Sequence, residues 1–396
     1  MAFPSTNDND LDQIRVDHIG SLVRPASLRD QFARYDRGQI APAELKAAQD
    51  EAVRDVIAKQ IRHGLPVVTD GEFRRHNFQE SFSESVSGFE VPQSVSLYYE
   101  RRNVNQTPLE RAEQNFDEAG PAIVTRRPAR ERLKLLRNFP LEEFRFAHSM
   151  AKKPVKVTLI GPDRIAQRFK WEASQPIYKD LDDFVADVVA IERRMISELV
   201  EAGCRYIQID APGYTAYVDQ VSLDRMRSRG EDTEQNLQRS IEADNALIEG
   251  FSDVTFGIHV CRGNARTIDP SSGKLVPQWH REGSYDAIAE RLFNSLKHRR
   301  LLLEYDSERA GTFEPLRFVP KDKLVVLGLI STKSFDMEST EDLKRRIEQA
   351  SRYVPLGQLA LSPQCGFGGL DSKVLSEEAM WQKLDRIVET AAQVWR

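Results

Sequence analysis

Short aliphatic and β-branched runs alternate with amphipathic stretches along most of the chain. Runs of strand length cover Val16 to Leu22, Pro66 to Asp70, Val155 to Ile160, Tyr206 to Asp210, Thr255 to Cys261, Leu301 to Tyr305, Leu324 to Ile330 and Leu359 to Ser362. Apolar residues at helical spacing occupy Ala43 to His63, Leu181 to Ala202, Thr233 to Phe251, Tyr285 to Lys297, Thr340 to Tyr353 and Ser376 to Val394. This alternation is typical of a parallel sheet covered by helices.

Eight strands in this pattern predict an α/β protein of the TIM (β/α)8 barrel type. A doubly wound sheet is the alternative, because it shows the same alternation. No linker rich in proline, glycine or serine divides the pattern, so we expect an N-terminal extension over residues 1–15 and one barrel domain over residues 16–396. The periodicity weakens at about residues 89–138, after the second strand, where several aromatic residues favour an ordered insertion or lid over disorder.

Charge and composition exclude several classes of protein. The chain has 56 Lys+Arg against 61 Asp+Glu, for a net charge of −5, and the two signs are interleaved, so no basic stripe for nucleic acid is present. No apolar run approaches the roughly 18 residues of a membrane helix, and the first residues lack the pattern of a signal peptide. We therefore expect a cytoplasmic protein without membrane or nucleic-acid partners. The three cysteines are too few for a disulfide framework, which leaves packing, metal binding or catalysis as their uses.

Polar side chains stand where the predicted strands end. In chain order these are His18, Ser21, Asp70, Glu72, Asp210, His259, Cys261, Glu304, Asp306 and Cys365. The carboxyl ends of barrel strands converge on one mouth, where enzymes of this architecture place their active sites. Residues far apart in sequence can therefore share one site.

The sharpest local feature is His259-Val260-Cys261, because side chains two residues apart on a strand point to the same face. Imidazole and thiolate both suit zinc, and Glu304 and Cys365 would complete a tetrahedral site. The alternative is a hydrogen-bonded core histidine beside a packing cysteine, and the residues alone leave both interpretations open. Cys204 precedes the fourth strand and is expected to be a small buried thiol.

Six segments, taken together, resemble the cobalamin-independent methionine synthase family in its zinc-bearing catalytic barrel. They are Asp17-His18-Ile19-Gly20-Ser21, Asp70-Gly71-Glu72-Phe73-Arg74-Arg75, Ile207-Gln208-Ile209-Asp210, His259-Val260-Cys261, Leu303-Glu304 and Ser362-Pro363-Gln364-Cys365-Gly366. They follow the family's order from about Asp17 onward. The chain is long enough for the catalytic half only, so it resembles the short, single-barrel subgroup.

The resemblance implies zinc-dependent transfer of a methyl group to the thiol of homocysteine, which yields methionine. The implied Zn2+ ligands are His259, Cys261, Glu304 and Cys365. The implied homocysteine pocket consists of His18, Ser21, Glu72 and Asp210. Two carboxylates would receive the ammonium group of the substrate. The thiol would attack the methyl donor as a zinc-bound thiolate.

The methyl donor stays open between a folate, a methylated corrinoid protein and another methyl compound. The segment from Leu159 to Ile165 lacks the aromatic residue on which the family stacks the pterin, and Trp171 is the substitute downstream. Where the family presents a histidine to the leaving folate, this chain has Thr332 and Lys333, which are the candidate catalytic residues near the donor.

Three other functions fit parts of the pattern. A related zinc-dependent alkyl transfer to another small thiol, similar to epoxyalkane:coenzyme M transferase, would need cations for a sulfonate, and Arg15, Arg24, Arg74 and Arg75 are available. A closed structural zinc site would be non-catalytic. A uroporphyrinogen-decarboxylase-like barrel would not need the thiols. The oligomeric state stays open, a homo-oligomer included.

Overall fold

A computed structural model describes residues 8–76, 78–90, 128–167, 169, 173–263, 266–268, 275–277, 281–368 and 375–395. Its strands are β1 (Val86–Phe89), β2 (Ala129–Leu135), β3 (Lys156–Ile160), β4 (Tyr206–Asp210), β5 (Thr255–Val260), β6 (Arg266–Ile268), β7 (Leu275–Pro277), β8 (Arg300–Glu304), β9 (Leu324–Ile330) and β10 (Leu359–Pro363). Its α-helices are α1 (Ala26–Asp36), α2 (Pro42–Arg62), α3 (Glu80–Ser83), α4 (Phe139–His148), α5 (Pro162–Gln167), α6 (Leu181–Glu201), α7 (Gln220–Ser228), α8 (Thr233–Ile248), α9 (Asp286–Ser295), α10 (Thr340–Ser351) and α11 (Glu377–Val394). Short 3-10 helices lie at Asp8–Gln13, Pro212–Tyr217, Glu308–Ala310, Glu314–Phe318 and Leu356–Gln358.

The centre of the molecule is a parallel sheet of six strands in the order β3-β4-β5-β8-β9-β10. Every residue of β3, β4, β8, β9 and β10 is buried, as expected for parallel strands covered by helices. Consecutive sheet strands are joined through helices, which confirms the predicted α/β class. Among the described helices, none combines the length and the apolar character that crossing a membrane requires.

The first two predicted strands are shorter than expected. Val16 forms a single parallel bridge with Leu361 of β10, and Val68 forms one with Val155, next to β3. The prediction of continuous strands over Val16 to Leu22 and Pro66 to Asp70 was therefore wrong. One physical reason is that the side chain of Gln60 bonds both the N–H and the C=O of Thr69, at 3.0 and 2.8 Å, which removes Thr69 from any ladder.

These two short segments nevertheless stand next to each other. The Thr69 hydroxyl donates to the Gly20 carbonyl at 2.7 Å, and the Leu22 N–H donates to the Gly71 carbonyl at 3.1 Å. The eight segments thus follow one another in the order of a (β/α)8 barrel, with the first segment bridged to the last. The six-stranded ladder places the carboxyl ends of its strands at one edge.

The predicted insertion falls between the second and third of these segments. β1 and β2 pair antiparallel, with Val86 opposite Leu135 and Phe89 opposite Ala129, and α4 follows them. Residues 91–127, the greater part of the predicted insertion, lie outside the described residues, as do Trp171 and residues 1–7. A single barrel domain over residues 16–396 stays a prediction.

Amphipathic helices complete the core. α6 buries Phe184, Val188, Met195 and Leu199 in an apolar cluster that also contains residues of the sheet, and the Asp180 side chain caps its N-terminus by accepting from Asp183 N. Cys204, just after this helix, is fully buried in the same apolar cluster, as predicted for a packing thiol.

Candidate functional site

Two cysteines that are 104 residues apart in the sequence meet at the carboxyl edge of the sheet. Cys261 directly follows β5 and Cys365 follows β10, and their sulfur atoms lie 3.2 Å apart, well beyond the roughly 2.05 Å of a disulfide. The His259 ring contributes a nitrogen, and these three ligand atoms all lie within 4.8 Å of one another. Ligand atoms held about 2.3 Å from one tetrahedral zinc ion stand roughly 3.8 Å apart, so the cluster has the size for one ion.

Glu304, the fourth predicted ligand, borders this cluster. It ends β8, and its Oε2 lies 3.9 Å from the Cys261 sulfur and accepts from the Arg262 N–H at 2.9 Å. Its Oε1 forms ion pairs with Arg309 and with Lys333 Nζ, the latter at 2.9 Å. The carboxylate therefore presents one oxygen to the thiols, and two cations hold the other.

The hydrogen bond between the two thiols shifts their pKa values in opposite directions. The contact with Cys365 lowers the pKa of Cys261, and the nearby His259 and the Gly263 N–H, 3.0 Å from its sulfur, act in the same direction against burial. The same contact, together with burial, raises the pKa of Cys365. Burial alone would lower the pKa of His259, but the hydrogen bond to Asp210 and the Cys261 thiolate raise it to about 9. The cluster is thus suited to stabilise a thiolate.

Asp210, at the end of β4, connects this cluster to an acidic pocket. Its Oδ1 accepts from Gln208 Nε2 at 2.7 Å and lies 3.2 Å from His259 Nδ1. Its Oδ2 has no hydrogen bond within the described residues. A carboxylate that orients a histidine through Nδ1 is a frequent second partner of a metal-binding imidazole.

Glu72 is the second carboxylate of this pocket. It is 3% exposed and has a left-handed backbone, with φ of 58°, which is costly for a residue with a side chain and is found mostly at functional sites. Its Oε1 accepts from the Thr158 hydroxyl at 2.7 Å, whereas its Oε2 has no partner in the described part of the chain. Burial raises the pKa of Glu72, Arg75 opposes that rise, and the negative charge of Asp210 adds to it.

An ion pair with a neighbouring arginine would give Glu72 a purely structural role. Arg74 pairs with Asp50 instead. Arg75 binds Glu143 through Nη2 at 2.6 Å and through Nε at 3.0 Å, and its Nη1 reaches Glu72 only at 3.7 Å. Arg74 and Arg75 are therefore largely committed to other carboxylates.

The turn that carries Glu72 is fixed by a buried arginine. Arg24 is 2% exposed, and its Nη2 donates to the carbonyls of Glu72 and Arg75, each at 2.5 Å. These bonds hold the left-handed turn closed. The carboxylate of Glu72 is thereby fixed at the edge of the sheet.

Ser21 lies directly against the loop that carries Cys365. A Cβ added to Gly366 would meet the Ser21 hydroxyl at 2.0 Å, and the Ser21 carbonyl accepts from the Phe367 N–H at 3.0 Å. His18 differs from the other predicted pocket residues, because its buried ring lies beside the backbone of Val67. Burial lowers the pKa of His18 to about 3, so this ring is neutral.

Thr332 and Lys333 border the thiol cluster on the side of β9. The Thr332 N–H donates to Gln364 Oε1 at 2.6 Å, and the Gln364 carbonyl lies 3.3 Å from His259 Nε2. Lys333 Nζ lies 2.9 Å from Asp306 Oδ2 as well as from Glu304. Ten residues were predicted for the zinc site, the homocysteine pocket and the donor side. Nine of them lie along this edge, and the buried ring of His18 lies apart from them, beside Val67.

Sequence reasoning did not identify Arg309, Gln364 or Gln208 as parts of this edge. Gln208 shares a strand face with Asp210, so the spacing of two residues could have indicated it. Arg309 lies five residues beyond Glu304, and only the turn at Glu308–Ala310 brings its guanidinium back to that carboxylate.

Comparisons with known proteins identify relatives in sequence and in structure. No protein-family model matches the chain. The uncharacterized protein YxjH of Bacillus subtilis is 32% identical over 388 residues, which cover 96% of this chain and 95% of that protein. The methionine synthase of Saccharolobus solfataricus is 26% identical over 378 residues, which cover 94% and 92%. A solved structure from Listeria monocytogenes, assigned as a vitamin-B12-independent methionine synthase, is 25% identical with a TM-score of 0.72 and covers 97% of this chain and 98% of its own.

The chain belongs to the cobalamin-independent methionine synthase family. This confirms the resemblance carried by the six sequence segments. The B12-independent methionine synthase of Shewanella sp. W3-18-1, solved in complex with selenomethionine, has the same fold as the present chain, with a TM-score of 0.68 and 18% identity. These family members match the chain over nearly their whole lengths, so they share its short form.

Proposed function

We propose that this protein is a zinc-dependent methyltransferase that transfers a methyl group to the thiol of homocysteine and forms methionine. The observation that carries this proposal is the Asp210–His259 contact, which joins a cluster of thiols and imidazole to a pair of carboxylates. A substrate that carries a thiol and an ammonium group on one short chain would satisfy both parts at once. Homocysteine has that chemistry.

The donor set fits zinc. His259, Cys261 and Cys365 would hold the ion, with Glu304 as the fourth ligand, because two soft thiolates, an imidazole and a carboxylate are ligands that zinc accepts. When bound, zinc supplies the acidity that keeps an incoming thiol deprotonated at neutral pH. Asp210 would keep the His259 ring in place.

The protein residues would bind and orient the amino acid. The free oxygens of Glu72 and Asp210 would accept hydrogen bonds from its ammonium group, and the Ser21 hydroxyl would donate to its carboxylate. Thr332 and Lys333, which border the thiol cluster on the side of β9, are proposed to meet the methyl donor, whether a folate, a corrinoid protein or another methyl compound. The cysteines of the site are unpaired and must stay reduced, which supports a cytoplasmic location.

Alkyl transfer to coenzyme M is the less favoured candidate. A sulfonate would need unpaired cations, whereas the pocket offers two carboxylate oxygens, and Arg74 and Arg75 are paired with Asp50 and Glu143. The closed structural zinc site is also disfavoured, since its ligands usually come from close pairs on neighbouring loops and these come from three separate strand ends.

X-ray absorption at the zinc edge, with and without homocysteine, tests the proposal. We expect one additional sulfur neighbour of zinc in the presence of homocysteine and no change with coenzyme M. If neither homocysteine nor coenzyme M changes the coordination shell of zinc, the site is structural and the proposal fails. Turnover of the zinc-loaded protein with homocysteine, assayed in parallel against methyltetrahydrofolate, methylcobalamin and simple methyl donors, then identifies the donor.

A further inference from the structure

Gln208 connects the acidic pocket to a charged network in the barrel interior. Its side chain is fully buried on β4 and donates through Nε2 to Asp210 Oδ1 and to the Ile19 carbonyl, each at 2.7 Å. Its Oε1 accepts from Lys156 Nζ at 2.9 Å. All the hydrogen-bonding groups of one amide are thus directed to defined partners.

Lys156 fixes the orientation of this amide. An ammonium group has donors only, so the oxygen of Gln208 must face it, and the amide nitrogen must then face Asp210. Lys156 is itself immobilised, because it is 2% exposed, pairs with Asp17 Oδ1 at 2.8 Å and also donates to the His18 carbonyl. A flipped amide would set donors against donors at Lys156 and acceptors against acceptors at Asp210.

Asp17, the counter-ion of Lys156, is fixed in turn. Its Oδ2 accepts from the Tyr206 hydroxyl at 2.5 Å and lies 3.3 Å from Arg300 Nη2. Both partners are fully buried. The charged groups beneath Gln208 are therefore held by buried partners.

This orientation determines which oxygen of Asp210 is available. Oδ1 is shared between Gln208 and His259, so only Oδ2 remains for a ligand. We propose that Gln208 is a positioning residue that aims Asp210 Oδ2 at the ammonium group of the substrate, and that Lys156 sets the direction in which the Gln208 amide points. The inference rests on the proposed function, because it presumes an amine-bearing thiol.

The closing experiment compares two thiols that differ only in the amine. Homocysteine and its deaminated analogue γ-mercaptobutyrate are titrated calorimetrically into the zinc-loaded protein, so that the contribution of the thiol is common to both. For Gln208→Met, which keeps the volume and removes the amide, we expect the Kd of homocysteine to rise about tenfold, or about 1.4 kcal/mol. The Kd of γ-mercaptobutyrate should stay within about twofold.

Gln358→Met is the matched control. The Gln358 amide also donates to two carbonyls, those of Pro320 at 3.1 Å and Lys323 at 2.8 Å, but it lies at the amino end of β10, away from the site. Neither Kd should change in this variant. Equal weakening of both thiols in Gln208→Met would indicate a general structural role, and unchanged values for both would show that Gln208 does not aim Asp210; either outcome overturns the inference.

A second variant keeps the inference testable if Gln208→Met does not fold. Gln208→Glu retains the size and the acceptor for Lys156 but replaces the donor that faces Asp210, and it should show the same selective loss for homocysteine. Failure of the proposed function has a different signature. In that case the parent protein itself would bind γ-mercaptobutyrate as tightly as homocysteine, whatever the residue at position 208.

Discussion

Replacing Glu72 by glutamine should weaken substrate binding and stabilise the protein at the same time. The change keeps the shape of the side chain and its left-handed backbone, and the new amide oxygen can still accept from the Thr158 hydroxyl. It removes the charge that would meet the ammonium group of homocysteine. It also removes the repulsion between two buried carboxylates, because Asp210 contributes to the raised pKa of Glu72.

The magnitude of the binding loss follows from the kind of bond. A hydrogen bond between charged groups in a buried site contributes about 1.5–3 kcal/mol. The Kd of homocysteine should therefore rise about 10- to 150-fold. That of γ-mercaptobutyrate should change little.

The stability gain should depend on pH in a defined direction. The pKa of Glu72 in the folded protein lies above its ordinary 4.5, so ionisation of this group destabilises the fold. The melting temperature of Glu72→Gln should exceed that of the parent at neutral pH. The difference should shrink as the pH falls through the raised pKa of Glu72 towards 4.5, and little of it should remain below 4.5.

Calorimetric titration and thermal unfolding measure the two effects on the same samples. Glu142→Gln, an exposed change on α4, is the control and should alter neither. An unchanged homocysteine affinity in Glu72→Gln would remove this residue from the amine pocket. A lower melting temperature at pH 7 would show that the Glu72 charge stabilises the fold, contrary to the argument from repulsion.

Three further changes test other parts of the structure. Cys365→Ala should lower zinc affinity at least tenfold in competition with a chromophoric chelator, whereas Cys204→Ala should leave it unchanged because that thiol is buried in the core; equal affinities in both would exclude Cys365 as a ligand. Lys333→Met should lower turnover with the methyl donor and leave the homocysteine Kd within about twofold, since its ammonium contacts Glu304 and Asp306; an equal loss in both would contradict a role near the donor. Burial lowers the pKa of His76, but hydrogen bonds to Asp36 and Glu80 outweigh burial and raise the pKa to about 10. The charge of His76 therefore stabilises the fold fully below pH 6.5, and this contribution is lost as the pH rises through 10. Chemical unfolding at pH 6 and pH 10.5 should show that His76→Gln reduces this pH-dependent difference by about 1–2 kcal/mol, and an unchanged difference would refute the assignment.

The carboxyl ends of the strands were predictable because parallel strands place them at one edge. Cys261 and Cys365 are separated by about a quarter of the chain, yet the strand pattern alone brings their sulfur atoms together. The strands themselves were less predictable. Thr69 belongs to an apolar run of strand type, but a helical glutamine, Gln60, takes both of its backbone groups, and no local pattern reveals a partner on another element.

The ion pairs of Glu304 could not be predicted from the sequence. Its position at a strand end predicts a place at the site, and in the structure its Oε2 lies 3.9 Å from the Cys261 sulfur. The ion pairs with Arg309 and Lys333 depend on the conformations of two loops, and loop conformation is set by tertiary contacts rather than by residue type. A ligand set inferred from residue identity therefore overstates how directly this glutamate faces the thiols.

Two buried glutamates at one edge illustrate how the environment separates their roles. For Glu304, burial alone would raise the pKa, but Lys333 and Arg309 reverse that effect and lower it, so this carboxylate is ionised and already compensated by protein cations. For Glu72, Arg75 does not overcome burial and the charge of Asp210, and the pKa is raised. A carboxylate without sufficient compensation is stabilised by the arrival of a cation, whereas a compensated one gains little from it. The ammonium group of an amino acid should therefore bind at Glu72 and Asp210, which leaves the thiol of the same molecule to reach the cysteines beyond His259.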